Sequence, residues 1–175
     1  VVVVSGVFSA FFVNDTMCLV LTPLVLEVTE RLERDPLPYL LGVAMASNAG
    51  SVATLTGNPQ NMLIGSLSGI SYRGFSAALA PVAAFSLAMT FAVIVLLFPK
   101  EFRRREPMEI PEVRVRVNRV LLWKAVVVSA AMIGLFFSGW PVAKVAVVAG
   151  AVLLITRRVK PEKVYHEIDW QLLAM

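Results

Sequence analysis

The 175-residue sequence predicts an all-α polytopic membrane protein: a re-entrant helical hairpin, a broken transmembrane helix and three regular spans. Three observations predict it. The chain is 58% hydrophobic and only 16% charged, with a mean hydropathy of +0.76. A soluble domain is nearer half apolar and a quarter charged. The run from Pro36 to Tyr72 contains no Asp, Glu, Lys or Arg, long enough to cross a bilayer that needs about 20 apolar residues. Its middle, Ser47–Asn61 (SNAGSVATLTGNPQN), nevertheless carries three Asn, a Gln, two Ser, two Thr, two Gly and a Pro. Backbone freed by Gly and Pro at membrane depth survives only when buried in protein or lining a wet cavity. Ser47–Asn61 is therefore read as a transmembrane helix with an unwound middle that binds a small solute.

In chain order, Val1–Leu26 is apolar except for Asn14-Asp15-Thr16 at its midpoint, where Asp15 is the only charge. The arms on either side, Val1–Val13 and Met17 to about Thr29, each reach only roughly 20 Å at 1.5 Å per residue. That is short of a core of about 30 Å, so the stretch reads as a hairpin turning at a polar tip. The alternative is a straight span with one buried acid, which costs about 3 kcal/mol or more unless the acid has a partner. A charged connector, Glu27–Asp35, follows, and Leu37–Gly65 is the interrupted helix. Ser66–Gly74 is a polar loop and Phe75–Phe98 an ordinary uncharged span.

Pro99–Lys124 holds eight of the sixteen basic residues, with a Val/Arg alternation at Val113–Val117 that fits a short strand or an interfacial segment. Val120–Ser138 and Val142–Thr156 are spans joined by the turn Ser138–Pro141, whose Trp140 suits a membrane interface. Arg157, Arg158, Lys160 and Lys163 follow, and a further apolar run opens at Ile168-Asp169-Trp170. The chain starts and stops inside hydrophobic runs, which reads as a piece of a longer protein.

Basic loops belong in the cytoplasm. Placing 99–124 and 157–167 there makes 75–98 run inward and 37–65 outward, and puts loop 27–38 on the cytoplasmic side. The first 29 residues must then enter and leave on one face, as a re-entrant hairpin does. Basic loops flanking spans are normal, so nucleic acid is not an expected partner; the bilayer is. Cys18 cannot form an internal disulfide, and His166 has no neighbouring Cys or His at ligand spacing.

Two interrupted apolar segments point to the binding site of a secondary transporter, where half-helix N-termini face an anion and freed carbonyls hold Na⁺ or H⁺. Asn14, Asp15 and Thr16 supply oxygens at one interruption. Ser47, Asn48, Thr54, Thr56, Asn58 and Asn61 supply them at the other, with Gly50 and Gly57 allowing close backbone approach. Na⁺ prefers such oxygens, by extension from Ca²⁺ and Mg²⁺, and Asn14, Asp15 and Gly57 are its candidate ligands. Asp15 is the candidate coupling residue, through Na⁺ or a titrating proton; the alternative is an acid neutralised by neighbouring amides for structural reasons. No other metal and no cofactor is expected. A membrane-embedded enzyme with Asp15 as catalytic acid is the rival reading. It lacks a second acid, a nucleophile with a base, or a metal cluster in the membrane segments, so an enzyme is not expected.

These residues resemble the first half-site of the ion transporter superfamily, which includes arsenite permeases, NhaD-type sodium/proton antiporters, citrate-transporter-like proteins and divalent-anion:sodium symporters. FSAFFVNDTMCLVLTPLV resembles the arsenite permeases at its Asn-Asp tip and at Leu21-Thr22-Pro23. The second family pattern falls on Ser47, Asn48, Gly50, Thr54, Gly57, Pro59 and Asn61, with Ser51 in place of a second Gly and Gln60 where Pro is frequent. The resemblance implies an inverted-repeat transporter working by an elevator-like motion and often dimeric. Residues 1–98 would be the first-repeat transport region (hairpin 1–29, broken helix 37–65, span 75–98) and 99–119 a cytoplasmic basic linker. Residues 120–175 would begin the second repeat, with spans 120–138 and 142–156 and a helix from 168. The second hairpin would lie in the remainder of the chain. The expected function is symport or antiport of a small anion or oxyanion, such as arsenite, citrate or another carboxylate, with Na⁺ or H⁺ at the cell (inner) membrane. A sodium/proton antiporter of the same superfamily is the alternative.

Overall fold

The computed structural model describes residues 1–103 and 118–155, and every regular element among them is helical. The Val113–Val117 alternation, the basic residues between 104 and 117, the tail with His166 and the helix expected from 168 lie outside the described residues. The chain divides into two compact units, Val1–Val115 and Arg116–Met175.

In the first unit, α1 (Val2–Phe11) and α2 (Asn14–Arg31) are separated by only Phe12 and Val13. Phe12 is extended (φ −122°, ψ 113°), which stops α1. Asn14-Asp15-Thr16 thus forms the first turn of α2, not a tip outside both helices. The reason is local. Short polar side chains tolerate a helix start, so the break falls on the two apolar residues before them. α2 also runs further than Thr29, taking in the first part of the expected connector; Arg31 pairs with Glu27 one turn back at 2.5 Å, both exposed. It ends where Glu33 adopts φ +49° and the Arg34 amide bonds back to the Thr29 carbonyl at 2.9 Å.

Over the stretch read as one interrupted helix, 37–65, the chain forms α3 (Leu37–Ser51), an irregular segment 52–58, and α4 (Pro59–Ser68). α4 starts because Asn58 caps it, its side-chain oxygen accepting the Asn61 amide at 2.8 Å, with Pro59 at the first position where no amide is needed. Gly69 (φ +67°) ends it. α5 (Tyr72–Leu97) is capped by Ser71 and starts three residues earlier than the sequence suggests; a short α6 (Pro99–Arg103) follows.

α3 is the centre of this unit, packing on α1, α2 and α5. Its contact surface is made of small residues. Ser5, Ser9, Ser47 and Ser51 are buried to 1% exposure or less, and the Ser9 hydroxyl donates to the Ser47 carbonyl at 2.6 Å. Helices gain little hydrophobic drive from associating inside lipid, so close van der Waals contact between small residues has to hold them. The limit is reached at Gly50, where an added Cβ would sit 2.1 Å from the Gly6 carbonyl oxygen. At the other end of α3, Arg34 pairs with Glu101 at 2.7 Å, and the Tyr39 hydroxyl donates to the same carboxylate oxygen at 2.7 Å.

In the second unit, α7 (Arg119–Phe137), capped by Asn118, packs on α8 (Val142–Ile155) through a turn with Gly139 at φ +86° and an exposed Trp140. α5 and α7 are long and apolar enough to cross a membrane, and only 17% and 6% of their most apolar windows are buried within the chain. Phe85, Leu96, Val120 and Trp123 point outward at more than two-thirds exposure, a surface suited to lipid.

Gly50→Ala is expected to destabilise the protein by about 1–3 kcal/mol or more, as overpacking between backbones does. Gly150→Ala, where a Cβ would meet nothing within 4 Å, should stay within about 1 kcal/mol of wild type. Thermal unfolding of the two variants in detergent measures the difference.

Candidate functional site

An interrupted helix leaves carbonyls unpaired at one end and amides at the other. The two interruptions of the first unit solve this together. The Asn14 amide, at the start of α2, donates to the Gly57 carbonyl at 2.9 Å. The Thr54 hydroxyl donates to the Ala10 carbonyl in the last turn of α1. Segment 52–58 therefore caps both ends of the first break. A side-chain bond adds to this, with the Asn14 amide nitrogen donating to Asn48 Oδ1 at 3.0 Å.

Segment 52–58 is itself held by its neighbours. Asn61 donates from one nitrogen to the Ser51 and Thr54 carbonyls, at 3.2 and 2.9 Å. Asn58 donates to the Ser51 hydroxyl at 3.2 Å, and that hydroxyl donates to the Asn48 carbonyl at 2.9 Å. Thr54, Thr56 and Tyr72 are linked by hydroxyl contacts of 3.2 and 3.0 Å. The fold is tight enough that a Cβ on Gly57 would lie 2.0 Å from the Ser51 carbonyl oxygen.

The site residues named from the sequence thus sort into two groups. Thr54, Asn58 and Asn61 have side chains engaged in building the segment, Gly50 and Gly57 permit close backbone contact, and Pro59 starts α4. Asn14 and Asn48 meet directly. Asn14 Oδ1 is buried without a hydrogen-bond partner, as is the Ser47 hydroxyl in the α1–α3 contact. Asp15 and Thr16 are exposed in the first turn of α2, where the helix dipole favours a negative charge. Tyr72 joins this hydroxyl cluster and is not picked out by sequence reading; a lone tyrosine opening an apolar span gives no signal of its partner. Among the described residues no group of three or more His, Cys, Asp or Glu could hold a metal ion. The oxygens on offer come from amides, hydroxyls, carbonyls and one carboxylate.

A cavity of about 240 Å³ lies elsewhere in the same unit, lined by Val2, Pro38, Gly42, Phe91 and Ile94 with Tyr39 and Glu101. Its walls are almost wholly apolar, and it sits at the start of α3, away from the interruptions.

Long helices whose apolar side chains face outward, as on α5 and α7, define the class: a membrane protein. The comparisons place it more closely. The profile of the citrate transporter family matches residues 1–175, and the chain belongs to that family. It is 38% identical over 101 residues to the silicon efflux transporter LSI3 of Oryza sativa subsp. japonica, covering 58% of this chain and 21% of that protein. It is 28% identical over 175 residues to the inner membrane protein YbiR of Escherichia coli (strain K12), covering 99% of this chain and 45% of the relative. A 46 kDa membrane protein of Mycobacterium leprae is 29% identical over 182 residues, covering 98% and 42%. The chain spans less than half the length of these relatives. No solved structure matches it significantly.

Asn61→Leu removes the side-chain donor to the Ser51 carbonyl and leaves the Thr54 carbonyl with only the 3.4 Å contact from the Gly57 amide, and is expected to cost roughly 1–3 kcal/mol. Gln60→Leu, at an exposed neighbour, should change stability by no more than about 0.5 kcal/mol. Limited proteolysis across residues 52–61 will show earlier cleavage in the first variant alone.

Proposed function

We propose that this chain is the first-repeat region of a secondary active transporter that moves a small anion or oxyanion, such as citrate or arsenite, coupled to Na⁺ or H⁺. One observation carries the reading. The two interruptions are bonded to each other through Asn14, and Asn14 Oδ1 is left buried and unpaired at the meeting point. A buried acceptor without a donor costs free energy in the empty state, and a bound cation or solute donor would recover it. The amide ends of α2 and α4 suit an anion, and the carbonyl ends of α1 and α3 suit a cation.

In this reading α1 and α2 form a re-entrant hairpin entered from the cytoplasmic side. Loops 27–38, 99–124 and 157–167 are cytoplasmic, and Na⁺ binds near Asn14, Asp15 and Gly57. The second hairpin, in the remainder of the chain, completes the solute site, and a homodimer is the working assembly. Asp15 makes no hydrogen bond among the described residues and is exposed, so its carboxylate is accessible to a coupling ion. The same feature supports the alternative of a sodium/proton antiporter, in which the carboxylate carries the exchanged proton.

The test is flux of citrate and of arsenite by the full-length protein in proteoliposomes, with Na⁺ and pH gradients imposed separately. Asp15→Ala is expected to reduce coupled flux to the level of empty liposomes while membrane insertion is unchanged. Asn14→Ala should weaken apparent affinity at least about tenfold, equivalent to 1.4 kcal/mol. Unchanged flux and ion dependence in Asp15→Ala would remove Asp15 from the coupling role.

A further inference from the structure

Behind the meeting point of the two interruptions lies a cluster of buried hydroxyls anchored on the Ala10 carbonyl. Thr54 donates to the Ala10 carbonyl, which can only accept. That uses the single proton of Thr54, so in the 3.2 Å contact between Thr54 and Thr56 the donor is Thr56. The Tyr72 phenol lies 3.0 Å from Thr56 Oγ1 and is also hydrogen-bonded to Thr54. Thr54 Oγ1 further accepts the Thr56 backbone amide at 3.2 Å. Its proton and both lone pairs are occupied, leaving nothing for a solute. Tyr72, Thr56, Thr54 and Ala10 are exposed by only 4, 6, 3 and 7%, so water does not compete.

We propose that Tyr72 and Thr54 are positioning residues for the solute site, acting through this hydroxyl cluster and touching no solute themselves. The phenol at the start of α5 orients Thr56 and Thr54 together, and Thr54 holds the last turn of α1. The backbone step from α1 into α2 is then set, and with it the placement of Asn14 against Gly57. The sequence suggests Thr54 as a ligand; the hydrogen-bond accounting makes it part of the mount. The inference rests on the transport reading for its consequence in flux, but not for its geometry.

The experiment pairs hydrogen–deuterium exchange with flux, both on the full-length protein. Tyr72→Phe keeps the ring and removes the phenol hydroxyl from the cluster. It is expected to raise amide exchange in residues 12–16 and 52–57 by about five- to tenfold, the loss of one net hydrogen bond. It should also raise KM for whichever of citrate and arsenite the wild type moves, with kcat within about twofold. Thr54→Val should exceed Tyr72→Phe on both readouts, and Thr54→Ser, which restores the hydroxyl, should return them to wild type. Unaltered exchange in Tyr72→Phe, or a Thr54→Ser variant as impaired as Thr54→Val, would overturn the proposal. If the exchange pattern appears but the wild type moves neither solute, the transport reading fails and the positioning cluster stands.

Discussion

The constraint on which this fold depends is that a helix broken inside an apolar environment must have its freed backbone groups paired. Here one break is capped by the other. Gly57 and Thr54, both in segment 52–58, take the amide at the start of α2 and a carbonyl at the end of α1. Neither break is complete alone, which is why the two are found bonded and not merely near. One unpaired oxygen, Asn14 Oδ1, remains where they meet because the pairing is spent on backbone, leaving the Asn14 side chain half-used.

Close approach is what lets the caps reach. α1 and α3 touch through serines and glycines, and Gly50 lies against the backbone at Gly6. Larger residues there would lift α1 away and pull Ala10 out of reach of Thr54. The bulky apolar side chains face outward from α5 and α7 instead. This is the reverse of a soluble bundle and matches a protein whose outer solvent is lipid, as membership of the citrate transporter family requires.

Much of this was legible in the sequence. The clustering of Asn, Thr, Gly and Pro within Ser47–Asn61 marks a helix that does not continue, and Asn14-Asp15-Thr16 marks the second irregularity. The exact break at Phe12–Val13 was not legible, since apolar residues give no turn signal and the polar triplet beside them draws attention to itself. The division of labour within the polar set was also hidden. Thr54 and Asn61 look like ligands by residue type, and only their partners in space, Ala10, Ser51 and the Thr54 carbonyl, show that their hydrogen-bonding groups are in use. The role of Tyr72 was hidden for the same reason, its partner Thr56 being 16 positions away.

The partly buried Arg34–Glu101 pair with Tyr39 adds a mechanical consequence. It ties the chain after α2 and the first turn of α3 to α6, at the far end of α3 from the paired breaks. A bundle clasped at both ends has little slack along its length. A displacement at one clasp is therefore carried along α3 to the other, as through a stiff rod.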